Sequence, residues 1–484
     1  MNLNREECTL PVNNANQMDV IFYPKSVAIV GASTSSQEAG WVARLRNFGY
    51  TGRIYPINPK ATEVSGLKAY PTVRDIPEPV DYAIFNIPAR FSSQIMEDCA
   101  AKGVKVAHVY AAGFGETGKS EAKELEARLA STARAGGVRV IGPNCMGIYC
   151  PASGLTFNPD FPKEPGNVAF VSQSGAEAMR FVFLADDVGI RFSKVISYGN
   201  AIDLDASDFL EYLADDADTR IIACYTEGVR DGRRYLAAIK KCLKEKPVII
   251  LKAGLTESGA GAAASHTASM AGSKAVWDAF FRQTGAIPAY TMDDVCDIIL
   301  ALLHMSLPKG RRAALVGRGG GIGVIASDIC ERAGLKVPAF HPDTISQIEK
   351  IIPEAGAGVR NPVETTYGMG GAADFYIRGL SMVDADPETD FIIIQLAVDV
   401  YGGRAADLPE QVTKAAEALC EILPTLAKPV AAAIYTGGHT HTIEAVIDAR
   451  HRLLEAGIPV YPGVEAASKA ISRLISYREL LEKL

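Results

Sequence analysis

The chain repeats one pattern: a short apolar run, a turn of small or polar residues, and then a helical segment. In its first 150 residues the apolar runs are residues 27–30, 53–57, 82–85, 106–109 and 139–141. This alternation of strands and helices predicts an α/β fold with a parallel sheet that is covered on both faces. Ligands of such sheets bind beyond the carboxyl ends of the strands. The Gly, Ser, Asn and Pro residues of this chain lie at those positions.

Two further blocks of the same kind follow. Their strand candidates are residues 168–171, 221–225 and 248–251, and then residues 313–316, 391–395 and 430–434. A chain of 484 residues has room for about three domains of roughly 150 residues each. We therefore predict domains at residues 1–150, 151–305 and 306–484, with a Pro-rich linker at residues 151–166.

The bulk composition excludes several classes of protein. Hydrophobic residues make up 48% and charged residues 22% of the chain, as in globular proteins with a sizeable core. The net charge of −7 argues against nucleic acid or an anionic membrane as the main partner. No stretch is long enough to span a bilayer. The nine cysteines lack CxxC spacing, which argues against a metal site and fits the reduced thiols of a cytoplasmic enzyme.

The turns after the first two strands indicate a phosphorylated ligand. Gly31 follows the first strand, but the run lacks the G-x-G-x-x-G pattern of dinucleotide-binding folds. Lys60 follows the second strand, where those folds usually carry an acidic residue for the ribose hydroxyls. A Lys at that position suits a phosphorylated ribose, as in coenzyme A (CoA) or NADP. A tight strand–helix turn explains Gly31 equally well.

Two later turns are candidate phosphate sites. Residues 172–175 and residues 317–323 each follow a strand candidate, are rich in Gly or Ser, and precede a helical segment. The free N–H groups and the partial positive charge at the start of a helix bind phosphate. For the first of these turns, an ordinary Ser cap of the helix is an equally good interpretation.

A long run of small residues, 254–272, separates the strand candidate 248–251 from a helix that starts near Ser273. The one histidine in this run is His266, and imidazole is a competent nucleophile near neutral pH. Glu227 follows the strand candidate 221–225, so it lies at the same sheet edge and can hold one ring nitrogen of a histidine. The alternatives are an exposed loop with an incidental His and a solvated Glu in a turn.

Taken together, these motifs carry a resemblance to a known family. The chain resembles the alpha-type subunits of NDP-forming acyl-CoA synthetases, the superfamily that includes succinyl-CoA synthetase. The resemblance covers nearly the whole chain, and the order and spacing of its motifs make it specific. The motifs are Gly31-Ala32-Ser33, Tyr55-Pro56-Ile57-Asn58-Pro59-Lys60, Gly142-Pro143-Asn144-Cys145, Val171-Ser172-Gln173-Ser174-Gly175, Tyr225-Thr226-Glu227-Gly228, Ala264-Ser265-His266-Thr267 and Asn361-Pro362-Val363-Glu364.

The resemblance implies an N-terminal Rossmann-like CoA-binding domain followed by two flavodoxin-like parallel-sheet domains. It implies that a carboxylic acid, CoA and ATP or GTP give acyl-CoA through an acyl phosphate and a phosphohistidine. His266 would carry the phosphate, and Glu227 would steady its ring. The implied phosphate-binding residues are Ser172, Ser174, Gly175, Gly319, Gly320, Gly321 and Gly323. The implied CoA-binding residues are Gly31, Ala32, Ser33, Asn58, Pro59, Lys60, Asn86, Pro88 and Asn144.

The family reaction also needs an ATP-grasp module, which the three α/β blocks do not contain. We therefore expect a separate beta-type subunit that binds the nucleotide and Mg²⁺. The expected assembly is a hetero-oligomer or a homodimer of this chain. Two other functions compete, because a fold alone does not fix a function. A non-catalytic CoA-binding or CoA-sensing protein would not need the pair of His266 and Glu227. An NADP-binding oxidoreductase would bind NADPH rather than CoA.

Overall fold

The computed structural model describes residues 18–34, 40–261, 273–317, 320–352, 358–364, 372–397, 408–435 and 440–482. These residues pack into two compact units. The first unit contains the described residues of 1–180, 192–245 and 253–272. The second contains those of 181–191, 246–252 and 273–484.

A parallel sheet occupies the amino-terminal region. The strands described here are β1 (Ser26–Val30), β2 (Arg53–Ile57), β3 (Glu63–Val64), β4 (Leu67–Lys68), β5 (Tyr82–Phe85), β6 (Val106–Val109) and β7 (Arg139–Ile141). Five of them form a parallel sheet in the order β2-β1-β5-β6-β7, and β3 pairs with β4. The helices are α1 (Asp19–Phe22), α2 (Trp41–Phe48), α3 (Ser92–Lys102) and α4 (Ser120–Ala135). Strands β1, β5 and β6 are buried along their whole length, because apolar residues face both sides of the sheet.

The second sheet is mixed rather than purely parallel. Its strands are β8 (Gly147–Tyr149), β9 (Val168–Ser172), β10 (Phe192–Ser197), β11 (Ile221–Thr226), β12 (Val248–Lys252) and β13 (Ile287–Ala289). Their order is β13-β12-β11-β9-β10-β8, and the edge strand β8 runs antiparallel to β10. One antiparallel edge strand on an otherwise parallel sheet is common. The helices that follow these strands are α5 (Gly175–Asp187), α6 (Ala206–Asp215), α7 (Gly232–Cys242), α8 (Lys274–Thr284) and α9 (Met292–His304).

The third sheet is again parallel. Its strands are β14 (Ala313–Gly317), β15 (Val363–Glu364), β16 (Phe391–Ala397), β17 (Val430–Tyr435) and β18 (Val460–Tyr461), in the order β15-β14-β16-β17-β18. The helices are α10 (Gly321–Arg332), α11 (Pro342–Ile348), α12 (Ala372–Asp384), α13 (Leu408–Ile422), α14 (Thr440–Glu455) and α15 (Val464–Leu481). The central strand β16 is fully buried from Phe391 to Ile394, as its unbroken apolar run requires.

These sheets, with helices between their strands, confirm the predicted α/β fold. The domain limits at residues 150 and 305 stay a prediction. Among the helices in the described ranges, none combines the length and the apolarity that a membrane crossing needs.

Strand β6 carries a histidine in the interior of the first sheet. His108 is only 1% exposed, and its Nε2 lies 3.3 Å from the carbonyl oxygen of Cys145. The ring of Trp41 packs edge-on against it, with the ring centres 5.5 Å apart. Burial lowers the pKa of His108 to about 4, although the hydrogen bond to Cys145 opposes this shift. The imidazole is therefore neutral in the folded chain near pH 7.

The depressed pKa of His108 predicts that acid destabilises the chain. In the unfolded chain the imidazole binds a proton as the pH falls through about 6.5, whereas the folded chain binds it only near pH 4. The unfolded state therefore takes up more protons in this window. We expect the free energy of unfolding to fall by roughly 3 kcal/mol between these two pH values. Urea unfolding of wild type and of His108→Gln, which keeps a donor but does not titrate, checks this; equal pH slopes would contradict it.

Candidate active site

The turn after β1 requires glycine at its first position. Gly31 has a φ of 82°, in the left-handed region that favours glycine. A Cβ on this residue would lie 2.3 Å from the carbonyl oxygen of Asn86, which follows β5. The N–H groups of Gly31 and Ala32 donate to the carbonyl of Ile57 at 3.1 and 3.2 Å. The backbone geometry alone therefore explains why residue 31 is glycine, as the interpretation of a tight strand–helix turn proposes.

The same turn also lines a cavity of about 270 Å³. Four of the predicted CoA-binding residues line it, namely Gly31, Ala32, Ser33 and Asn86. Sequence reasoning missed other lining residues, among them Trp41, Arg44, Ser65 and Tyr110. Arg44 supplies positive charge, and its guanidinium lies 5.4 Å from the centre of the Trp41 ring. The cavity thus combines backbone that a ligand can approach closely, an aromatic ring and a cation. This combination suits a phosphorylated ligand.

The turn after β2 supports the cavity without lining it. The side chain of Asn58 donates from Nδ2 to the carbonyl of Ala32 at 2.8 Å. Its Oδ1 accepts from the N–H groups of Lys60 and Ala61, at 2.8 and 3.2 Å. Pro59 and Lys60 are exposed. Asn58 therefore positions the turn after β1, and Lys60 lies at the surface beside it.

Asn144 lies in a polar network that joins several loops of the first unit. Its Nδ2 donates to Oδ1 of Asn200 at 3.4 Å. The Nδ2 of Asn200 donates in turn to the carboxylates of Glu116 and Glu126, at 2.6 and 2.8 Å. Burial alone would raise the pKa of Glu116, but hydrogen bonds from Asn200 and from the Gly113 N–H outweigh it and lower the pKa. Glu116 is thus a carboxylate that holds Asn200 in place. Pro88 is exposed and begins a short helical turn at residues 89–91.

The turn before α5 has the features of a helix cap. The Oγ of Ser174 accepts from the N–H of Glu177 at 3.3 Å, as in an ordinary Ser cap. The buried hydroxyl of Ser172 donates to the carbonyl of Ser174 at 2.7 Å, so this hydroxyl shapes the turn. A Cβ on Gly175 would lie 2.7 Å from Cγ of Met146, so a larger residue there would require the Met146 side chain to move. Because residue 175 has no side chain, other groups can come close to the start of α5, which carries a partial positive charge.

Glu227 is a buried carboxylate at the carboxyl end of β11. It is 4% exposed, which excludes the interpretation as a solvated turn residue. The hydroxyl of Tyr225 donates to its Oε1 at 3.3 Å. The side chain of Gln173 accepts from the N–H groups of Glu227 and Gly228, both at 3.0 Å. Sequence reasoning missed this role of Gln173, which holds the turn after β9 against the turn after β11.

The predicted nucleophile His266 lies outside the described residues. The segment that leads to it begins in a defined position, however. The N–H of Ala253, just after β12, donates to the carbonyl of Thr226 at 3.0 Å. Thr226 is the last residue of β11 and precedes Glu227. The small-residue segment therefore leaves the sheet beside the strand end that carries Glu227.

The second candidate phosphate turn precedes α10. Gly319 lies outside the described residues, and Gly321 and Gly323 lie in the first turn of the helix. Gly320 has a φ of 67°, and its N–H donates to Oε1 of Glu364 at 2.6 Å. A carboxylate oxygen therefore already interacts with the start of this helix, as its partial positive charge favours. Glu364 belongs to a motif seen in the sequence, but its position here was not predicted.

Within the described ranges, no group of three or more His, Cys, Asp or Glu side chains is placed to hold a metal ion.

Comparison with known proteins defines the class of protein. The family model of a CoA binding domain matches residues 25–151. The family model of a succinyl-CoA ligase like flavodoxin domain matches residues 165–302. Together with the sheets and the cavity described above, these matches define a CoA-dependent ligase with a flavodoxin-like domain.

Individual relatives narrow the class to a family. The alpha subunit of ADP-forming acetate–CoA ligase II from Pyrococcus furiosus is 38% identical over 461 residues, which cover 95% of this chain and 97% of that one. ADP-forming acetate–CoA ligase I from Archaeoglobus fulgidus is 37% identical over 96% of this chain and 64% of that one. The structure of the acetyl-coenzyme A synthetase 1 of Ca. Korarchaeum cryptofilum with phosphate and ADP matches with a TM-score of 0.81 at 33% identity, over 96% and 99% of the two chains. The chain belongs to the family of ADP-forming acyl-CoA ligase alpha subunits.

This membership confirms the predicted family and the predicted activity class, an ADP-forming acid–CoA ligase. Neither competing function, a CoA sensor or an NADP-binding oxidoreductase, finds support among these relatives, which carry ligase names.

Proposed function

We propose that the chain forms acyl-CoA through a phosphohistidine on His266. The phosphohistidine transfers its phosphoryl group to the carboxylate of the acid, which gives an acyl phosphate and the free imidazole. The CoA thiol then attacks the acyl carbon, and phosphate and the thiol proton leave. Glu227 holds one nitrogen of the ring and stabilises the positive charge that develops on it during transfer. Glu227 is therefore a positioning residue for the nucleophile.

One hydrogen bond supports this assignment most directly. The N–H of Ala253 donates to the carbonyl of Thr226, so the segment that carries His266 starts next to Glu227. Glu227 is almost fully buried at that strand end. A buried carboxylate is poorly screened and interacts strongly with a neighbouring imidazole.

We further propose that each of two helix starts can bind phosphate. The first is the turn of Ser172, Ser174 and Gly175 at α5, and the second is the run Gly319, Gly320, Gly321 and Gly323 at α10. Preorganised N–H groups at a helix start stabilise a dianion with little rearrangement. The contact between Gly320 and Glu364 supports the second assignment, because a carboxylate oxygen accepts a hydrogen bond at this helix start.

CoA binds, in this proposal, at the cavity that Gly31, Ala32, Ser33 and Asn86 line. Arg44 and the exposed Lys60 supply positive charge for its phosphates. Asn58 and Asn144 act through the loops that they hold. Pro59 and Pro88 fix the neighbouring turns.

The role of Lys60 can be tested by reversing its charge. Lys60→Glu should weaken CoA binding by roughly threefold to tenfold at low salt, since an exposed charge is partly screened. Calorimetric titration with CoA measures the effect. Lys123→Glu, which changes an exposed lysine of α4, is the matched control and should bind CoA as wild type does. Equal affinities for wild type and Lys60→Glu would remove this assignment.

Relatives of this chain are named alpha subunits, which implies a separate partner subunit. We propose that this partner is an ATP-grasp subunit that binds ATP or GTP with Mg²⁺ and loads His266. The match to the Archaeoglobus fulgidus ligase supports this, because it covers only 64% of that longer chain. We propose a cytoplasmic hetero-oligomer in which this chain can also dimerise.

The proposed function has two half-reactions: phosphorylation of this chain from acyl-CoA and phosphate, and its phosphorylation from ATP by the partner subunit. Measuring them separately tests the proposed function. The full-length chain alone should become phosphorylated when it receives an acyl-CoA and labelled phosphate. It should stay unlabelled with ATP and Mg²⁺ until the partner subunit is added. If the purified chain alone makes acyl-CoA from acid, CoA and ATP at ordinary enzymatic rates, the proposed division of labour is wrong.

A further inference from the structure

Strand β11 contains one residue that its burial does not explain. Every residue of this strand is buried except Tyr225, which is partly exposed. Side chains alternate between the two faces of a strand, so Tyr225 and Glu227 lie on the same face. Thr226 points to the other face, where its hydroxyl lies 3.3 Å from that of Tyr235. Tyr225 is therefore the strand residue that adjoins Glu227 on its own face.

The hydroxyl of Tyr225 restrains the carboxylate of Glu227. It donates to Oε1 at 3.3 Å, which is longer than the usual distance of about 2.8 Å between two oxygens. Its energy therefore lies at the low end of the range for hydrogen bonds to charged groups. The last torsion of a Glu side chain turns easily, so a bond to one oxygen limits the direction of the carboxylate. Gln173 acts on the same turn through the backbone N–H groups of Glu227 and Gly228.

Tyr225 is also tied to the turn that we assign to phosphate. Its carbonyl accepts from the N–H of Gln173 at 3.2 Å, and it pairs in register with Ser172. Burial, and next the charges of Glu227 and Glu177, raise the pKa of Tyr225 above its usual range. The hydroxyl therefore stays protonated near neutral pH and remains a donor. Tyr225 thus connects the turn before α5 with the carboxylate of Glu227.

We propose that Tyr225 is a positioning residue for phosphoryl transfer, whose hydroxyl holds the carboxylate of Glu227 in the orientation that serves the imidazole of His266. The inference rests on the proposed function, since it adds one residue to the site of that reaction. Tyr225 forms and breaks no bond to phosphorus, and it acts only through Glu227. Loss of its hydroxyl should therefore slow the transfer and leave substrate binding unchanged.

Tyr225→Phe tests the inference, because it removes the hydroxyl and keeps the ring. The full-length chain receives labelled phosphate and acetyl-, isovaleryl- or succinyl-CoA, whichever labels wild type fastest. The maximal single-turnover rate of labelling should fall by about tenfold, as for one modest hydrogen bond to a charged group. The acyl-CoA concentration that gives half of this rate should change by less than about twofold, because the lost contact acts in the transfer and not in binding.

Tyr50→Phe is the matched control. The hydroxyl of Tyr50 donates to the carbonyl of Pro24 at 2.8 Å, away from the predicted site. This variant loses a buried hydrogen bond of the same phenolic kind and should label at the wild-type rate.

A double-mutant cycle separates positioning from a general structural role. In the Glu227→Gln background, Tyr225→Phe should lower the maximal rate by no more than about twofold, because the charge through which the hydroxyl acts is already absent. A purely structural contribution of the hydroxyl would lower the rate by the same factor in both backgrounds.

The outcomes distinguish this inference from the proposed function. If none of the three acyl-CoA compounds labels wild type, the proposed function fails, and the inference fails with it. If wild type is labelled and Tyr225→Phe reaches the same maximal rate, the function stands and the role of Tyr225 is wrong. Multiplying effects of the two substitutions would overturn it as well. The same holds for a raised half-saturating concentration at an unchanged maximal rate, which would assign Tyr225 to binding.

Discussion

Replacing His266 by Ala should abolish phosphorylation of the chain. Wild-type protein that receives an acyl-CoA and labelled phosphate should carry label on His266, and the label should be lost in acid and retained in base, as for a phosphorus–nitrogen bond. The reason is chemical: the transfer needs a nucleophilic nitrogen that accepts and then releases the phosphoryl group, and alanine offers none. Acid–base treatment and peptide mapping of the labelled protein measure this directly.

The matched control for this substitution is His451→Ala. His451 is an exposed histidine of α14, so its loss should leave labelling unchanged. Label that survives in His266→Ala, or label that is stable in acid, would mean that the nucleophile is a different residue.

Glu227→Gln should lower the rate of labelling by about 10²–10³, the usual effect of removing one well-placed electrostatic contact. The substitution removes the negative charge but keeps the shape of the side chain and an acceptor for the Tyr225 hydroxyl. The bonds to Gln173 go to backbone N–H groups and are retained. Because Glu227 is almost fully buried, its charge is weakly screened, so the loss should be large. Single-turnover labelling of His266 measures the rate.

Two further measurements separate this positioning role from a structural one. The midpoint of thermal unfolding should be close to that of wild type, and Glu227→Asp should recover part of the rate because it restores the charge. Glu245→Gln, at an exposed glutamate after α7, should label at the wild-type rate. A Glu227→Gln protein that labels as fast as wild type would show that the carboxylate does not act on the ring.

Strand positions were predictable where an apolar run was long enough to be buried on both faces. The run at residues 221–225 became β11 and the run at residues 391–395 became β16, each extended by one or two residues. Strands β13, β15 and β18 were not predicted, because two or three residues are too few to show a period. Strand β8 was missed for a second reason: it follows β7 without a helix between them and runs antiparallel to its neighbour.

Site residues were predictable where the backbone itself needs them. Gly31 and Gly175 each lie so close to other atoms that a Cβ would clash, and their position after a strand was visible in the sequence. Arg44 reaches the cavity from α2 and Tyr110 from the turn after β6, so only the tertiary fold brings them there. Gln395 lay at the end of the strand candidate 391–395, and the sequence assigned it no role. The structure adds that, among the described residues, its Nε2 has no hydrogen-bond partner, which depends on its neighbours in the sheet.

The hydrogen bonds of Asn200 connect several segments of the first unit. Its amide nitrogen is shared by two carboxylates, Glu116 after β6 and Glu126 on α4, while its oxygen receives the amide of Asn144 after β7. The guanidinium of Arg230 donates a hydrogen bond to the backbone carbonyl of Asn200 at 2.6 Å. A shift of any one of these segments by an ångström would break a bond that another segment needs. We therefore expect a ligand that displaces one of these segments to displace the others as well.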